Sequence, residues 1–180
     1  MLLYGLLRRA LKPLFRPRFP RHFTARTTYV CDGDSIWVAP RWGGRRKLRL
    51  LGMDAPETDQ AFGPEATRCL RRKLSGAVLD VTALGVDPYG RLISRVMIGR
   101  TDVSEFMIRE GLAWPYRRYY RRLSQEEALR YDAACRMAKS KRLGLWREKN
   151  PTPPWVWRER QRTWLSRFWF WLSRLWKRFF

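Results

Sequence analysis

The stretch that most constrains this chain runs from Thr24 to Leu51. Thr24–Cys31 is rich in Thr, Val and Tyr and reads as a strand. Asp32-Gly33-Asp34 is a turn carrying two acids, and Ser35–Pro40 (Ser-Ile-Trp-Val-Ala-Pro) is a second strand. Trp42-Gly43-Gly44-Arg45 supplies the positive φ that a tight hairpin wants, so Lys47–Leu51 returns as a third strand. In an antiparallel pair the start of one strand lies beside the end of the other. Asp34, at the start of the second strand, is therefore expected beside Asp54 and Glu57, just past the end of the third.

The chain continues in short elements. Gly63-Pro64-Glu65 opens a helix, with proline in the first turn and an acid near the N-terminus. It runs to about Leu74, with Ala66, Cys69, Leu70 and Leu74 on one face. Ala77–Leu84 is a fourth strand, Asp87-Pro88-Tyr89-Gly90-Arg91 a tight turn and Leu92–Ile98 a fifth strand. Val103–Glu110 is a short helix stopped by Gly111, and Trp114–Arg122 is an aromatic, basic loop. Ser124-Gln125-Glu126-Glu127 is a capping box that starts a helix to about Arg142. Five short strands with three interleaved helices predict an α+β domain over residues 24–150, built on a five-stranded OB-type β-barrel.

Both ends are basic. The chain carries 38 Lys+Arg against 16 Asp+Glu, a net charge of +22, which points to a polyanionic partner such as nucleic acid or anionic lipid. The start, residues 1–23, reads as a basic, apolar arm, either a short interfacial helix ending at Pro13 or a disordered segment. Its apolar run is too short to span a bilayer and is unlike a secretory signal. Asn150-Pro-Thr-Pro-Pro154 reads as a linker. In the tail beyond it, Arg162, Ser166, Arg167, Ser173, Arg174, Lys177 and Arg178 share one helical face. Trp164, Leu165, Phe168, Trp169, Trp171, Leu172, Leu175, Trp176 and Phe179 fill the other. That pattern predicts an amphipathic helix lying on an anionic membrane surface through residues 159–180, with residues 1–15 as a second contact. Docking on the domain or on a second subunit is the other reading. Peripheral membrane association is the expected localisation, and the sequence does not give a compartment.

Three widely spaced cysteines, Cys31, Cys69 and Cys135, make neither a disulfide framework nor a zinc site. The one histidine, His22, excludes Ser-His-Asp hydrolysis, HExxH proteolysis and His-metal nuclease motifs. Chemistry in the core must use carboxylates, arginines, tyrosines and oxygen-ligated metal. Leu48–Thr58 has those parts. Arg49 lies in strand-like sequence, and Asp54 and Glu57 flank the turn-forming Pro56 at its exit. An arginine grips phosphate oxygens in a bidentate fork, while carboxylates hold a hard cation or move a proton.

Four pieces taken in order, Asp32-Gly33-Asp34, Arg49 to Glu57, Phe62-Gly63-Pro64-Glu65-Ala66 and Asp87-Pro88-Tyr89-Gly90-Arg91, resemble the staphylococcal nuclease (thermonuclease) family. The resemblance covers about Thr24 to Trp146, and Pro153-Pro154-Trp155-Val156-Trp157-Arg158 is similar to the segment that follows the domain in bacterial members. It implies an OB barrel with three helices and calcium-dependent hydrolysis of phosphodiester bonds in DNA and RNA. It implies Asp34, Asp54 and the carbonyl of Ala55 as Ca2+ ligands, Glu57 as general base, and Arg49 and Arg91 as the phosphate clamp. Tyr89 resembles a nucleotide-contacting tyrosine. Tyr116 and Tyr119 are expected to stack on bases, with Arg117, Arg118, Arg121 and Arg122 along the backbone. Asp32 is expected as a turn former and Glu65 as a helix N-terminal acid. Two departures from the staphylococcal enzyme are a shorter loop between Glu57 and Phe62, and Pro88 in place of a lysine. The alternative reading is a binding module of the same fold, holding nucleic acid or protein at a membrane surface without cleavage.

Overall fold

The computed structural model of the protein describes residues 20–164. The strands β1 (His22–Val30), β2 (Ser35–Pro40), β3 (Arg46–Leu50), β5 (Val78–Val86) and β6 (Leu92–Ile98) form a closed barrel. Neighbours are antiparallel, except that β3 and β6 pair in parallel through Leu48–Leu92, Arg49–Ile93 and Leu50–Ser94 to close the ring. Closure removes the edges that an open sheet would leave unpaired. Three two-residue strands that the sequence does not announce complete the sheets. β4 (Met53–Asp54) pairs with β8 (Trp114–Pro115), and β7 (Thr101–Asp102) pairs with β6.

The barrel fills with alternate residues, as period-2 strands require. Ile36, Val38, Leu48, Leu50, Leu79 and Val96 are fully buried in one core. Helix α1 (Gly63–Leu74) buries Ala66, Cys69, Leu70 and Leu74, the face expected from its spacing. Helix α2 (Val103–Arg109) is capped by Asp102, whose carboxylate accepts from the amides of Ser104 and Glu105. Helix α3 (Gln125–Ser140) opens on the Ser124–Glu127 capping box and buries Tyr131, Ala134, Cys135 and Ala138. It ends two residues before the expected Arg142, which has left-handed backbone (φ 51°).

Two segments differ from expectation. The aromatic, basic loop is ordered structure: β8 is followed by a 3-10 helix over Arg117–Arg122. The prolines at 151–154 do not hold the following segment away from the barrel. The Gln60 side chain donates to the Thr152 carbonyl (2.6 Å), Pro154 is buried, and residues 154–164 are helical. Proline is tolerated in a first helical turn, where its missing N–H has no intrahelical role. Among the described residues no helix is long and apolar enough to cross a membrane. The expectations for residues 1–15 and for the tail from 165 to 180 lie outside the described residues.

Candidate active site

The acidic turn between β1 and β2 is built by Asp32. Its Oδ1 accepts from the amides of Asp34 (2.9 Å) and Ser35 (2.7 Å), which is the turn-forming role expected of it. Burial pushes the Asp32 carboxyl up, against the pull of Arg49 and of the Ser35 hydrogen bonds. Gly33 is required by close approach: a Cβ there would lie 2.6 Å from the Ala55 Cβ and 2.9 Å from that of Ala66. The turn thus presses Asp34 against the β4 exit. Asp34 Oδ2 accepts the Ala55 amide (3.2 Å), joining the first and third of the expected cation ligands.

Arg49 projects from β3, facing Ser35 across the ladder, and bridges the two acids. Its Nη1 pairs with Asp34 Oδ2 and its Nη2 with Asp54 Oδ1. All three side chains are buried, with Asp54 fully inaccessible. Three charges this deep persist only because they pair.

Arg91 reaches the same place from the head of β6. The carboxylate of Asp87 accepts from the amides of Tyr89 and Arg91 (both 2.9 Å) and from Arg91 Nε (2.7 Å). The Arg91 Nη1 then donates to Ser35 Oγ (2.9 Å), and that hydroxyl donates to Asp34 Oδ1 (2.9 Å). Asp87, Arg91, Ser35 and Asp34 therefore form one continuous chain of hydrogen bonds. Nε and one Nη1 hydrogen of Arg91 are held, which fixes the guanidinium plane and leaves donors for an anion.

Glu57 lies on the loop between β4 and α1. Gly63 approaches so closely that a Cβ there would stand 1.8 Å from the Glu57 carbonyl oxygen. Gln60, itself buried, accepts the Glu57 amide (3.2 Å) while donating to Thr152. The Glu57 side chain is about one-third exposed. It meets Arg158 from the C-terminal helical segment: Arg158 Nη1 to Glu57 Oε1 is 2.6 Å, and Arg158 Nη2 to Asp54 Oδ2 is 2.7 Å. Burial opposes the Arg158 charge, but the hydrogen bonds and attraction of Asp54 and then Glu57 outweigh it and raise its pKa.

These groups open on a cleft of about 550 Å³. Arg49, Glu57, Arg91, Asp34, Ala55, Tyr89, Tyr116 and Tyr119 all line it, whereas Asp54 lies beneath its floor. Tyr89 is 84% exposed at the rim, with the Arg91 guanidinium 5.5 Å from its ring centroid. Tyr116 and Tyr119 meet edge to face at 5.4 Å. Of the flanking arginines, Arg118 borders the cleft, while Arg122 turns away to the Leu84 carbonyl. Glu65 is the first-turn acid of α1 and does not line the cleft.

Sequence reasoning did not single out Ser35, Asp87, Gln60 or Arg158. Asp87 is readable in retrospect, since an acid four residues before a turn arginine can accept both its amide and its side chain. For Arg158 the signal is a proline pair followed by aromatic residues and a cation, which opens a helix rather than ending one.

The donor set fits a hard cation. Asp34 and Asp54 converge with oxygen ligands only, and both already face cationic nitrogens. Among the described residues no three His, Cys, Asp or Glu side chains are grouped to hold a metal ion, so two carboxylates would need a carbonyl and water to complete a shell. Beside this pair stand two buried or half-buried arginines and a more exposed carboxylate. The arrangement can bind an anion, neutralise charge that grows on it, and accept a proton beside it.

Comparison with known proteins gives the chain a family. The model of a family described as staphylococcal nuclease homologue matches residues 47–148. The chain is 34% identical over 137 residues to an uncharacterized endonuclease of Escherichia coli O157:H7, covering 76% of this chain and 85% of that protein. It is 34% identical over 145 residues to a micrococcal nuclease of Shigella flexneri, covering 76% and 80%. A staphylococcal-like nuclease of Arabidopsis thaliana is 35% identical over 116 residues, which covers 64% of this chain and 34% of the plant protein. With its closed barrel and more than half its length matched, the chain belongs to the staphylococcal nuclease homologue family.

Proposed function

We propose that the protein is a calcium-dependent nuclease that hydrolyses phosphodiester bonds of DNA or RNA. The observation that carries the reading is the convergence of Arg49, Arg91, Glu57 and Asp34 on one cleft, with Asp54 paired to Arg49 beneath its floor. The names of the related endonuclease and micrococcal nuclease support the same reaction class.

Asp34, Asp54 and the carbonyl of Ala55 are the groups that would hold the ion. A bound calcium would supply positive charge beside the phosphoryl oxygens. Arg91, fixed by Asp87 and Ser35, binds one edge of the phosphate, and Arg49 offers a second guanidinium from the cleft floor. Arg91 acts where negative charge develops with its guanidinium plane already fixed, while Arg49 first gives up its pairs with Asp34 and Asp54. Glu57 takes the proton from the attacking water, a task suited to a carboxylate open to solvent. Tyr89 at the rim and the Tyr116–Tyr119 pair offer ring faces to flanking bases, a contact that tolerates any base.

The test is degradation of single-stranded DNA and of RNA by purified protein with calcium, and its arrest by chelator. Glu57→Gln and Arg91→Ala should each lower the rate by about 10²-fold or more. Intact polynucleotide after incubation of the wild type with calcium would overturn the reading in favour of a binding module.

A further inference from the structure

The helical segment 154–164 enters the cleft from outside the barrel. Its base is fixed by the Gln60–Thr152 hydrogen bond and buried Pro154. Trp155 and Arg158 are three residues apart and share a face. Trp155 packs on Tyr116, with ring centroids 5.8 Å apart and planes inclined by 30°. Arg158 lies over the acids: Nη2 contacts Asp54 Oδ2 at 2.7 Å, and Nη1 contacts Asp54 Oδ1 at 3.3 Å and Glu57 Oε1 at 2.6 Å. With Arg49 on Asp54 Oδ1, both oxygens of this carboxylate face guanidinium nitrogens.

One helix face thus covers a candidate cation ligand, the candidate base and a candidate stacking ring. A divalent cation on Asp54 would meet a guanidinium within contact distance, where like charges repel strongly. The same guanidinium already occupies Glu57 Oε1, so water must compete with it for that oxygen. The Arg158 side chain is 42% exposed, so its guanidinium has solvent to swing into when a divalent ion takes its place on the buried Asp54. It is nonetheless tethered, and a tethered group competes at an effective concentration on the order of millimolar.

We propose that Arg158 is a resident cation of this site, competing with the metal for Asp54 and occupying Glu57. Ion binding and release of the 154–164 helix from the cleft are then one coupled event. The inference rests on the metal-site reading above and adds a built-in competitor to it. Coupling of this kind is reciprocal: the helix weakens ion binding by the factor by which the ion weakens helix docking.

Calorimetric titration of calcium into the full chain tests it without any nuclease assay. Arg158→Gln should bind calcium about tenfold tighter than wild type, a typical coupling. Trp155→Ala, which loosens the same helix on Tyr116, should shift affinity in the same direction, so the test survives if one variant folds poorly. Amide hydrogen exchange across residues 155–164 should speed up when calcium is added to the wild type. Equal or weaker calcium binding by both variants, with exchange unchanged by the ion, overturns the competition while leaving the metal site standing. Absence of calcium binding in wild type and variants overturns the metal-site reading and the competition with it.

Discussion

Buried acids at two places in this molecule are satisfied in different ways. Asp102 is held by neutral donors: its Oδ1 accepts from the amides of Ser104 (2.8 Å) and Glu105 (3.2 Å), and its Oδ2 accepts the Tyr131 hydroxyl (2.8 Å). Asp54 is held by the guanidiniums of Arg49 and Arg158, and Asp34 by Arg49 together with the Ala55 amide and the Ser35 hydroxyl. The neutral donors belong to a helix cap and to the fully buried Tyr131, and they have nothing to exchange. The guanidiniums of Arg49 and Arg158 both line the candidate cleft. A carboxylate tied into the fold by dipoles secures architecture, whereas one balanced by guanidiniums at a cleft is, on the function proposed above, a place of exchange.

That contrast can be broken most forcefully at Arg49. Arg49→Ala should lower the nuclease rate by about 10²- to 10³-fold. It should also cost about 3–5 kcal/mol, since two buried carboxylates lose their shared partner. Initial rates and the urea midpoint read the two effects. Tyr131→Phe should behave differently. It removes one donor to a buried carboxylate and should cost about 1–3 kcal/mol of stability, with turnover per folded molecule unchanged. A loss of turnover in a fully folded Tyr131→Phe protein would erase the distinction between the two places.

The smallest effect is a pH dependence. Burial, opposed by the hydrogen bonds of Tyr131 and the cap amides, raises the Asp102 carboxyl above 3.8. The folded chain then keeps this proton to higher pH than the unfolded chain does. The associated stability is present at low pH and is lost as pH rises through the folded value. Asp102→Asn has no such loss, so its Tm relative to wild type should climb as pH rises from the ordinary carboxylate range through the raised folded value. A difference that stays flat over this range would mean that the site ionises as easily folded as unfolded.

Local signals made much of the fold legible. The paired glycines at 43 and 44, both with positive φ, gave the hairpin. The spacing of Ala66, Cys69, Leu70 and Leu74 gave the buried face of α1, and Ser124 with Glu127 gave the start of α3. The candidate site was readable because its residues flank turns whose chemistry is short-range. What stayed hidden depends on distant partners. Nothing near Leu48 announces its parallel pairing with Leu92, and two-residue strands are too short for any alternation to show. Ser35 looked like an ordinary first residue of a strand until the barrel brought Arg91 to it. Arg158 lay behind a proline cluster that reads as a break, although Asp54 and Glu57 had room for a cation from elsewhere.

The parallel seam between β3 and β6 also sets an order in time. Arg49 stands on one side of the seam and Arg91 at the head of the other, so the two guanidiniums face one cleft only when Leu48–Leu50 and Leu92–Ser94 lie side by side. During synthesis the first of these segments leaves the ribosome well before the second, and Arg158 follows later still. A growing chain therefore carries the acids and one arginine without an assembled clamp. The candidate cleft is complete only once the two segments lie side by side.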